Sequence, residues 1–397
     1  MKHIILRIGT SLIALIVIFS TALVFTHNKA ASAANAGTPQ MGGEIEDSIN
    51  SYTSLLSALY TQDEQELARH SSNEIALAKE KIDPLRESYT NYGMKIVDAT
   101  VSADVQTVQN IGETTIVDTI LHTEITFLPS AVSGLTEPQK SSWDDSHAIT
   151  LESAGTDMKR SGASDLSLQS DSVIPESSTS LNEITDSAAT PATTDAPVGV
   201  TQPQLRTAGA SPSYQIVTAS EYAVKWTSGV NNGNAKNNFN PAYPYFDENC
   251  ANFVSQVVHE GKVSYRGSIF GYRNDDTWSP NLGFGVSSYT WGGASNNHRF
   301  MRNYSGLFNE WTGSIYDMGR GGLLYTDWDA NGSIDHALFV NNAIRTGFNS
   351  AGQMIFMPYI SQKSNNRSNM PLSTYYQIAV SGHPKTLWYG LQVKWIY

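Results

Sequence analysis

The sequence is nearly without cysteine, since Cys250 is the only one in 397 residues. A chain with one cysteine cannot form an internal disulfide, so packing alone must hold its fold together. In an exported protein, a cysteine without a partner is either reactive or well buried. Cys250 is therefore the first residue to consider as a source of chemistry.

The chain also lacks an excess of basic residues. There are 25 Lys and Arg against 37 Asp and Glu, which gives a net charge of −12. The acidic excess lies before residue 213, and the remainder is close to neutral. Because binding to phosphates requires a basic face, we expect no nucleic-acid partner.

Long hydrophobic runs are absent except at the N-terminus. Basic residues occur within residues 2–7, an apolar run covers residues 8–25, and Ala-Ser-Ala occupies residues 31–33. We interpret residues 1–33 as a secretory signal peptide and expect a secreted or cell-envelope-associated protein. The apolar run is nearly long enough to span a bilayer, so an uncleaved anchor is the alternative. We otherwise expect no stable membrane insertion after cleavage.

Residues 42–154 predict a small N-terminal α+β domain. Apolar residues recur at helical spacing over residues 42–85, with a break near residues 62–63, and Pro84 is expected to end or kink the helix. Residues 94–108 and 114–128 then alternate Val, Ile and Thr with polar side chains, as strands do. Residues 147–151 predict one more strand. We find no candidate chemistry in this region.

Residues 155–212 change in character and predict a disordered linker. Ser, Thr, Ala, Pro and Asp dominate, and apolar residues are too sparse to form a core. We therefore place a domain boundary here and expect a second domain over residues 213–397.

The second domain is rich in Trp, Tyr, Gly and Asn. Its pattern predicts a helix over residues 219–226, the helix of Cys250, a long loop or lid over residues 274–304, and a helix near Phe308. A hairpin of strands 336–345 and 354–362 follows, and a last strand covers residues 387–397. The expected fold class is α+β, with a cysteine helix packed on an antiparallel sheet.

Cys250 lies where a loop becomes an amphipathic helix. Asn249 is a favourable N-cap residue, and Gly261 marks the helix end. A thiol at the first helical position faces free backbone N–H groups and the positive end of the helix dipole. We expect these groups to favour the thiolate, which is the form that a cysteine nucleophile needs.

A thiol nucleophile requires a base, and four histidines of this domain are candidates. His259 lies nine residues after Cys250 on the same helix and is too far along it to reach the thiol. His298 lies in the expected lid, and His383 lies in a turn. His336 begins an apolar strand that would fix its ring, so we favour His336 as the base and keep His298 as the alternative.

The hairpin suggests a residue that orients the base. With the turn centred near Asn349, Gln362 lies opposite His336, and a slipped register admits Ser361 or Lys363. The amide oxygen of Gln362, or that of Asn365, can accept the imidazole N–H, whereas Lys363 has only donors. A polar residue facing solvent at the strand end is the alternative interpretation.

Two further patterns have both a functional and a structural interpretation. Asp327, Asp329 and Asn331 resemble the first half of a calcium loop, but Leu338 stands where the closing Glu is required. A polar turn is the alternative, and we expect no bound metal or other cofactor. Trp278 and Trp291 lie in a glycine-rich stretch and are candidates to line a substrate groove, although tryptophans are more often core residues.

Three segments of this domain read NCANFVSQVVHEG, WDANGSIDHALFV and YISQKSNNRSNMPL in chain order. They resemble a known family, the putative amidase domain of secreted bacterial proteins. With the 219–226 helix, the resemblance covers residues 213–397. The family is related to papain-like cell-wall hydrolases, so the resemblance implies a papain-like fold with Cys250 as nucleophile and His336 as base.

The sequence departs from the family pattern at three places. Asn249 stands where the family usually has Asp, and Gly321–Gly322 stand where it usually has Gly-Asp. The histidine of the family's last motif falls at Lys363. If that histidine assists catalysis, Gln362 or Asn365 must replace it, or the activity is weakened.

The sequence therefore predicts a secreted cysteine amidase or peptidase with Cys250 and His336 as its catalytic residues. Backbone N–H groups at the helix start, with Asn249 or Asn252 as helpers, would stabilise the oxyanion. Secretion and the resemblance favour an amide bond in cell-wall peptidoglycan or its peptides. The alternatives are an inactive wall-binding or protein-binding module and a calcium-stabilised surface protein.

Overall fold

A computed structural model of the chain describes residues 42–153, 166–176, 189–199, 214–228 and 239–394. The predicted signal peptide, residues 1–33, lies outside the described residues. No helix in the described part is both long and apolar enough to cross a membrane.

The N-terminal helical region consists of α1 (Gly43–Thr61), α2 (Glu64–Leu67) and α3 (Ser72–Thr90). The break near residues 62–63 is confirmed, because Gln62 adopts a left-handed conformation and Asp63 caps α2 by accepting from two backbone N–H groups. Ser71 and Glu74 form a reciprocal capping box that begins α3. Pro84 does not end α3, which continues to Thr90.

Three long strands follow, namely β1 (Lys95–Ile111), β2 (Thr114–Leu128) and β3 (Gln139–Ser153). They form an antiparallel meander, as the alternating pattern predicts. A fourth strand, β4 (Leu166–Val173), pairs with the second half of β3. The prediction of a disordered linker is therefore wrong for these eight residues, because they pair with β3 and bury Leu168 in the core.

The rest of the chain supplies five helices and six strands to the described fold. They are α4 (Ile216–Thr227), α5 (Cys250–Glu260), α6 (Tyr289–Gly292), α7 (Ala294–Asn303), β5 (Phe308–Trp311), β6 (Leu323–Asp327), β7 (His336–Phe348), β8 (Met354–Gln362), β9 (Arg367–Pro371), α8 (Leu372–Gly382) and β10 (Leu387–Val393). The predicted strand 354–362 is confirmed, and the cysteine helix begins and ends as expected. The predicted loop over residues 274–304 is correct for residues 274–288 but wrong for the part that forms α6 and α7. The predicted helix near Phe308 is wrong, since Phe308 begins a strand.

One sheet connects the N-terminal strands with the C-terminal ones. Its order is β1-β2-β3-β9-β8-β7-β6-β10-β5, with β4 paired to β3 as a branch. The junction is short: Ser142 and Trp143 of β3 pair with Ser368 and Arg367 of β9. The structure is therefore a mixed α+β fold with a large antiparallel sheet that is continuous across both predicted domains. The domain boundaries themselves stay predictions.

Strand β7 is buried on both faces. Leu338 and Val340 belong to one apolar cluster, which includes side chains of α1, α3 and α8. Ala337 and Phe339 belong to a second cluster, which includes side chains of α4, α5, α6 and α7. Because successive strand residues point to opposite faces, β7 has helices on both sides. Its first residue is His336, and α5 brings Cys250 to the same region.

The glycine pair before β6 has a packing reason. Gly321 has φ of +88°, and a Cβ added there would lie 2.9 Å from the side chain of Ile216 on α4. A residue with a side chain would be strained in its backbone and would collide with α4. Gly321 thus permits the close contact between α4 and the chain entering β6.

Candidate active site

Cys250 is the first residue of α5 and is 6% exposed. Its thiol donates to the backbone carbonyl oxygen of Asp335, with 3.9 Å between Sγ and O. The backbone N–H of Ala337 donates to the sulfur. These two groups belong to the residues on either side of His336, so the structure brings the thiol to the segment that carries the predicted base.

The predicted cap of α5 is only partly correct. Asn249 occupies the N-cap position, but its side chain makes no capping hydrogen bond to the helix. Instead, Asn249 Oδ1 accepts from Asn252 Nδ2 at 2.5 Å, and the Asn249 backbone N–H donates to Ser364 Oγ at 3.0 Å. The N–H groups of the first turn are thus left without a side-chain cap, which suits an oxyanion site.

The thiolate predicted from the helix start is not the resting form. Burial raises the pKa of Cys250 to about 12, and the negative charge of Glu248 acts in the same direction. Hydrogen bonds from the backbone N–H groups of Ala337 and Ala251 lower the pKa without cancelling the effect of burial. Cys250 is therefore a neutral thiol near pH 7 and needs a base to become a nucleophile.

His336 is 3% exposed and stands at the start of β7. Its ring stacks on Trp328, with 5.3 Å between the ring centroids and 21° between the planes. Burial lowers the pKa of His336 to about 4, while the facing side chain of Gln362 opposes the shift. The imidazole is therefore neutral near pH 7 and able to accept a proton.

The alternative base, His298, lies within the fold on α7. It is 1% exposed, and its ring packs against Tyr325 and Tyr389 with centroid separations of 4.9 and 5.9 Å. His298 is thus part of an aromatic cluster rather than of a loop that closes over a site. The prediction of a loop or lid is wrong for the part that carries His298, because residues 294–303 form the packed helix α7.

Gln362, the predicted orienting residue, ends β8 and faces His336. The simple register is wrong by two residues near the site, where Ser361 lies opposite Phe339. The pairing of Phe348 with Met354 centres the turn near residue 351 rather than at Asn349, and two bulges reduce the resulting offset without removing it. The Gln362 amide N–H donates to both oxygens of Glu176 at 3.0 and 3.3 Å. The same amide also donates to the backbone oxygen of Asn365 at 3.4 Å. Asn365 therefore contacts Gln362 through its main chain, whereas the prediction uses its side-chain amide.

Glu176 is the site residue that sequence reasoning missed. Its carboxylate oxygen Oε2 lies 3.5 Å from His336 Nε2, and Oε1 accepts from Arg367 at 3.1 Å. Burial raises the pKa of Glu176 to about 7, although Arg367 and Gln362 act to lower it. The residue lies within the predicted linker, and the apolar residues just before it, Val173 and Ile174, are exposed, so no local pattern marks Glu176 as buried.

Lys363 stands where the family resemblance expects a histidine. It is 3% exposed and follows β8 directly. Burial lowers its pKa to about 8, and the charge of Asp144 on β3 opposes that shift. An amine with this pKa is partly neutral in mildly alkaline solution, and its charged form interacts with Asp144 on β3.

Both predicted groove tryptophans are core residues. Trp278 and Trp291 are fully buried, and their indole N–H groups donate to Ser255 Oγ at 3.0 Å and to Asn252 Oδ1 at 2.6 Å. Asn252 also uses its amide N–H groups, for Pro244 and Asn249. The predictions of a tryptophan-lined groove and of Asn252 as oxyanion donor are therefore wrong, because these side chains are occupied in packing.

The calcium candidate is a compact acidic turn. Carboxylate oxygens of Asp327, Asp329 and Asp335 lie within 4.8 Å of one another. Asp327 accepts from the backbone N–H groups of Asn331 and Gly332 at 3.0 and 2.7 Å. The side chain of Asn331 also takes part, since its Oδ1 accepts from the backbone N–H of Ser333 at 2.7 Å. These bonds form the polar turn that leads into β7, and calcium binding stays the alternative interpretation.

The neutral thiol leads to a testable prediction about alkylation. We expect iodoacetamide to modify Cys250 in the folded protein at pH 7 at least about tenfold more slowly than in the denatured chain, since the thiolate is the reacting form. The rate in the folded protein should keep rising above pH 9. Mass spectrometry of the peptide that contains Cys250 measures both rates. Faster labelling of the folded protein at pH 7 would show a preformed thiolate and contradict this prediction.

Comparison with known proteins points to the same region. No curated protein and no solved structure matches the chain. A family model described as a putative amidase domain matches residues 213–383, which contain Cys250, His336 and Gln362 but not Glu176. This part of the chain is thus similar to an amidase domain, and the similarity indicates a hydrolase acting on amide bonds.

Proposed function

We propose that the protein is a cysteine amidase or peptidase of papain-like type, with Cys250 as nucleophile and His336 as general base. The observation that supports it most strongly is the position of the Cys250 thiol, which contacts the backbone on both sides of His336. The match to an amidase domain supports the same reaction class.

The protonation states favour a general-base mechanism. His336 takes the proton from the thiol as sulfur attacks the amide carbonyl, which forms the S–C bond and an oxyanion. The backbone N–H groups at the start of α5, where the Asn249 side chain makes no capping hydrogen bond, stabilise that oxyanion. His336 then gives the proton to the leaving amine as the C–N bond breaks. Water hydrolyses the thioester, and the thiol regains its proton.

The proposed substrate is an amide bond in peptidoglycan or in peptides derived from it. The N-terminal sequence pattern of a secretory signal supports this choice, since it would deliver the enzyme to the cell envelope.

The test uses purified cell walls and two proteins, the wild type and Cys250→Ala. We expect the wild type to release soluble fragments, and their masses to show one added water for each broken amide bond. Cys250→Ala should release none while retaining the circular-dichroism spectrum of the wild type. Equal release by both proteins would overturn the cysteine mechanism.

A binding module with the same fold is the second candidate. The raised pKa of the buried thiol favours it, because such a thiol is unreactive without a working base. In a pull-down with insoluble walls, binding by both proteins without release of fragments would support this alternative.

A further inference from the structure

The segment after β4 carries a carboxylate to His336 from outside the region matched by the amidase model. The backbone N–H of Ile174 donates to the carbonyl oxygen of Ser146 at 2.7 Å, which continues the pairing with β3. Pro175 then lies against Gly382 at the end of α8. These contacts fix the direction in which Glu176 leaves the sheet.

The Glu176 carboxylate is held by donors from two strands. Gln362 on β8 donates to both oxygens, and Arg367 on β9 donates to Oε1. The side chain is 14% exposed, so water competes weakly for its lone pairs. Both carboxylate oxygens are thereby oriented, and Oε2 is the one that faces the ring of His336.

His336 Nε2 is a buried nitrogen without a hydrogen bond of ordinary geometry to any described residue. Its nearest acidic atom is Glu176 Oε2 at 3.5 Å. Buried polar atoms normally have a partner, and catalytic hydrogen bonds are often long before substrate binds. Glu176 is thus well placed to become that partner.

We propose that Glu176 is a positioning residue for His336, whose carboxylate accepts the Nε2–H proton and leaves the lone pair of Nδ1 to take the proton from Cys250. This inference rests on the proposed function. No proton moves to Glu176 during the reaction, since its role is to fix the tautomer and orientation of the ring. In this arrangement the Gln362 amide N–H holds the Glu176 carboxylate, and the Gln362 amide oxygen faces the ring of His336.

Several other charged groups face this pair and contribute to its titration. They are Arg367 on β9, Asp145 on β3, Glu248 before α5 and His383 after α8. Arg367 and Asp145 are paired with each other at 2.5 Å, which partly cancels their fields. The pKa of about 7 for Glu176 means that the accepting carboxylate forms as the pH rises through neutrality.

The kinetic test compares Glu176→Gln with the wild type between pH 5 and 9. We expect the wild-type kcat/KM to rise through about pH 7, because only the carboxylate can accept Nε2–H. Glu176→Gln should lose this inflection and be at least about tenfold slower at pH 8. Glu124→Gln, which removes an exposed carboxylate paired with Lys140, is the control and should keep the wild-type profile. A faster Glu176→Gln enzyme would overturn the proposal, since Glu176 would then block the site.

A second measurement does not depend on turnover. Nitrogen-15 NMR of labelled protein distinguishes Nε2-protonated from Nδ1-protonated histidine, and the His336→Gln spectrum identifies the signals of this ring. We expect the Nε2–H tautomer in the wild type at pH 8 and its loss or mixing below about pH 6. The same loss should occur in Glu176→Gln at pH 8. If the tautomer changes neither with pH nor with the substitution, the role of Glu176 is overturned, even in an active enzyme. If the tautomers are as expected but the protein is inactive, only the proposed function is overturned.

Discussion

Replacing His336 by glutamine is expected to lower kcat/KM by about 10²- to 10⁴-fold, which is the usual contribution of general acid–base catalysis. The thiol of Cys250 has a pKa of about 12, and in the proposed mechanism it gives its proton to His336. Without the imidazole the thiol therefore stays neutral at pH 7. Glutamine retains much of the size and polarity of the ring and should preserve the fold. Steady-state rates of fragment release from cell walls, or of hydrolysis of a peptide amide, measure the loss.

His298→Gln provides the matched control for this experiment. It removes a buried histidine of the same region, but one that packs against tyrosines. We expect its kcat/KM per folded molecule to remain within about threefold of the wild type, since surface and core changes away from the reacting atoms act mainly through stability. The reverse result, an inactive His298→Gln and an active His336→Gln, would exchange the roles of the two histidines.

Replacing Arg367 by methionine is expected to lower the free energy of unfolding by about 3–5 kcal/mol, the usual cost of removing one partner of a buried ion pair. Its guanidinium is 1% exposed and lies 2.5 Å from Asp145 and 3.1 Å from Glu176. It also donates to the backbone oxygen of Asp144. Methionine fills most of the volume but leaves two carboxylates without their cation. Urea unfolding, followed by tryptophan fluorescence, gives the change.

A more exposed pair gives the comparison for Arg367. Arg302 lies 3.2 Å from Glu310, and both side chains retain contact with solvent. Such pairs contribute about 1 kcal/mol or less, so Arg302→Met should change the unfolding free energy by no more than that. If the two substitutions change the unfolding free energy equally, burial does not determine how much the Arg367 ion pairs contribute to stability.

The parts of this fold that local patterns control could be predicted from the sequence. Strict alternation of apolar residues located β2, and the turn residues between two apolar runs located the hairpin of β7 and β8. The cysteine helix was found from its one-sided apolar spacing. These signals depend on neighbours within one turn or one strand, which the sequence displays directly.

The features that depend on distant partners could not be predicted in this way. The register near His336 depends on where the hairpin turn is centred and on two bulges, and the apolar strand residues mark neither clearly. The resting state of Cys250 depends on its burial, which outweighs the favourable helix start. Glu176 has no motif around it, because its importance comes from Arg367 and Gln362, nearly two hundred positions away in the chain.

The short pairing of β3 with β9 has a practical consequence for expressing only the segment that matches the amidase domain, residues 213–383. A fragment starting at residue 213 would lose β3, and the β9 edge that Ser142 and Trp143 now cover would be bare. Bare strand edges recruit strands from other molecules, so such a fragment is a candidate for aggregation during expression. The same cut would remove Asp145 and Glu176 together, leaving the buried Arg367 with neither of its carboxylates. The sensible expression unit for this protein therefore begins before α1.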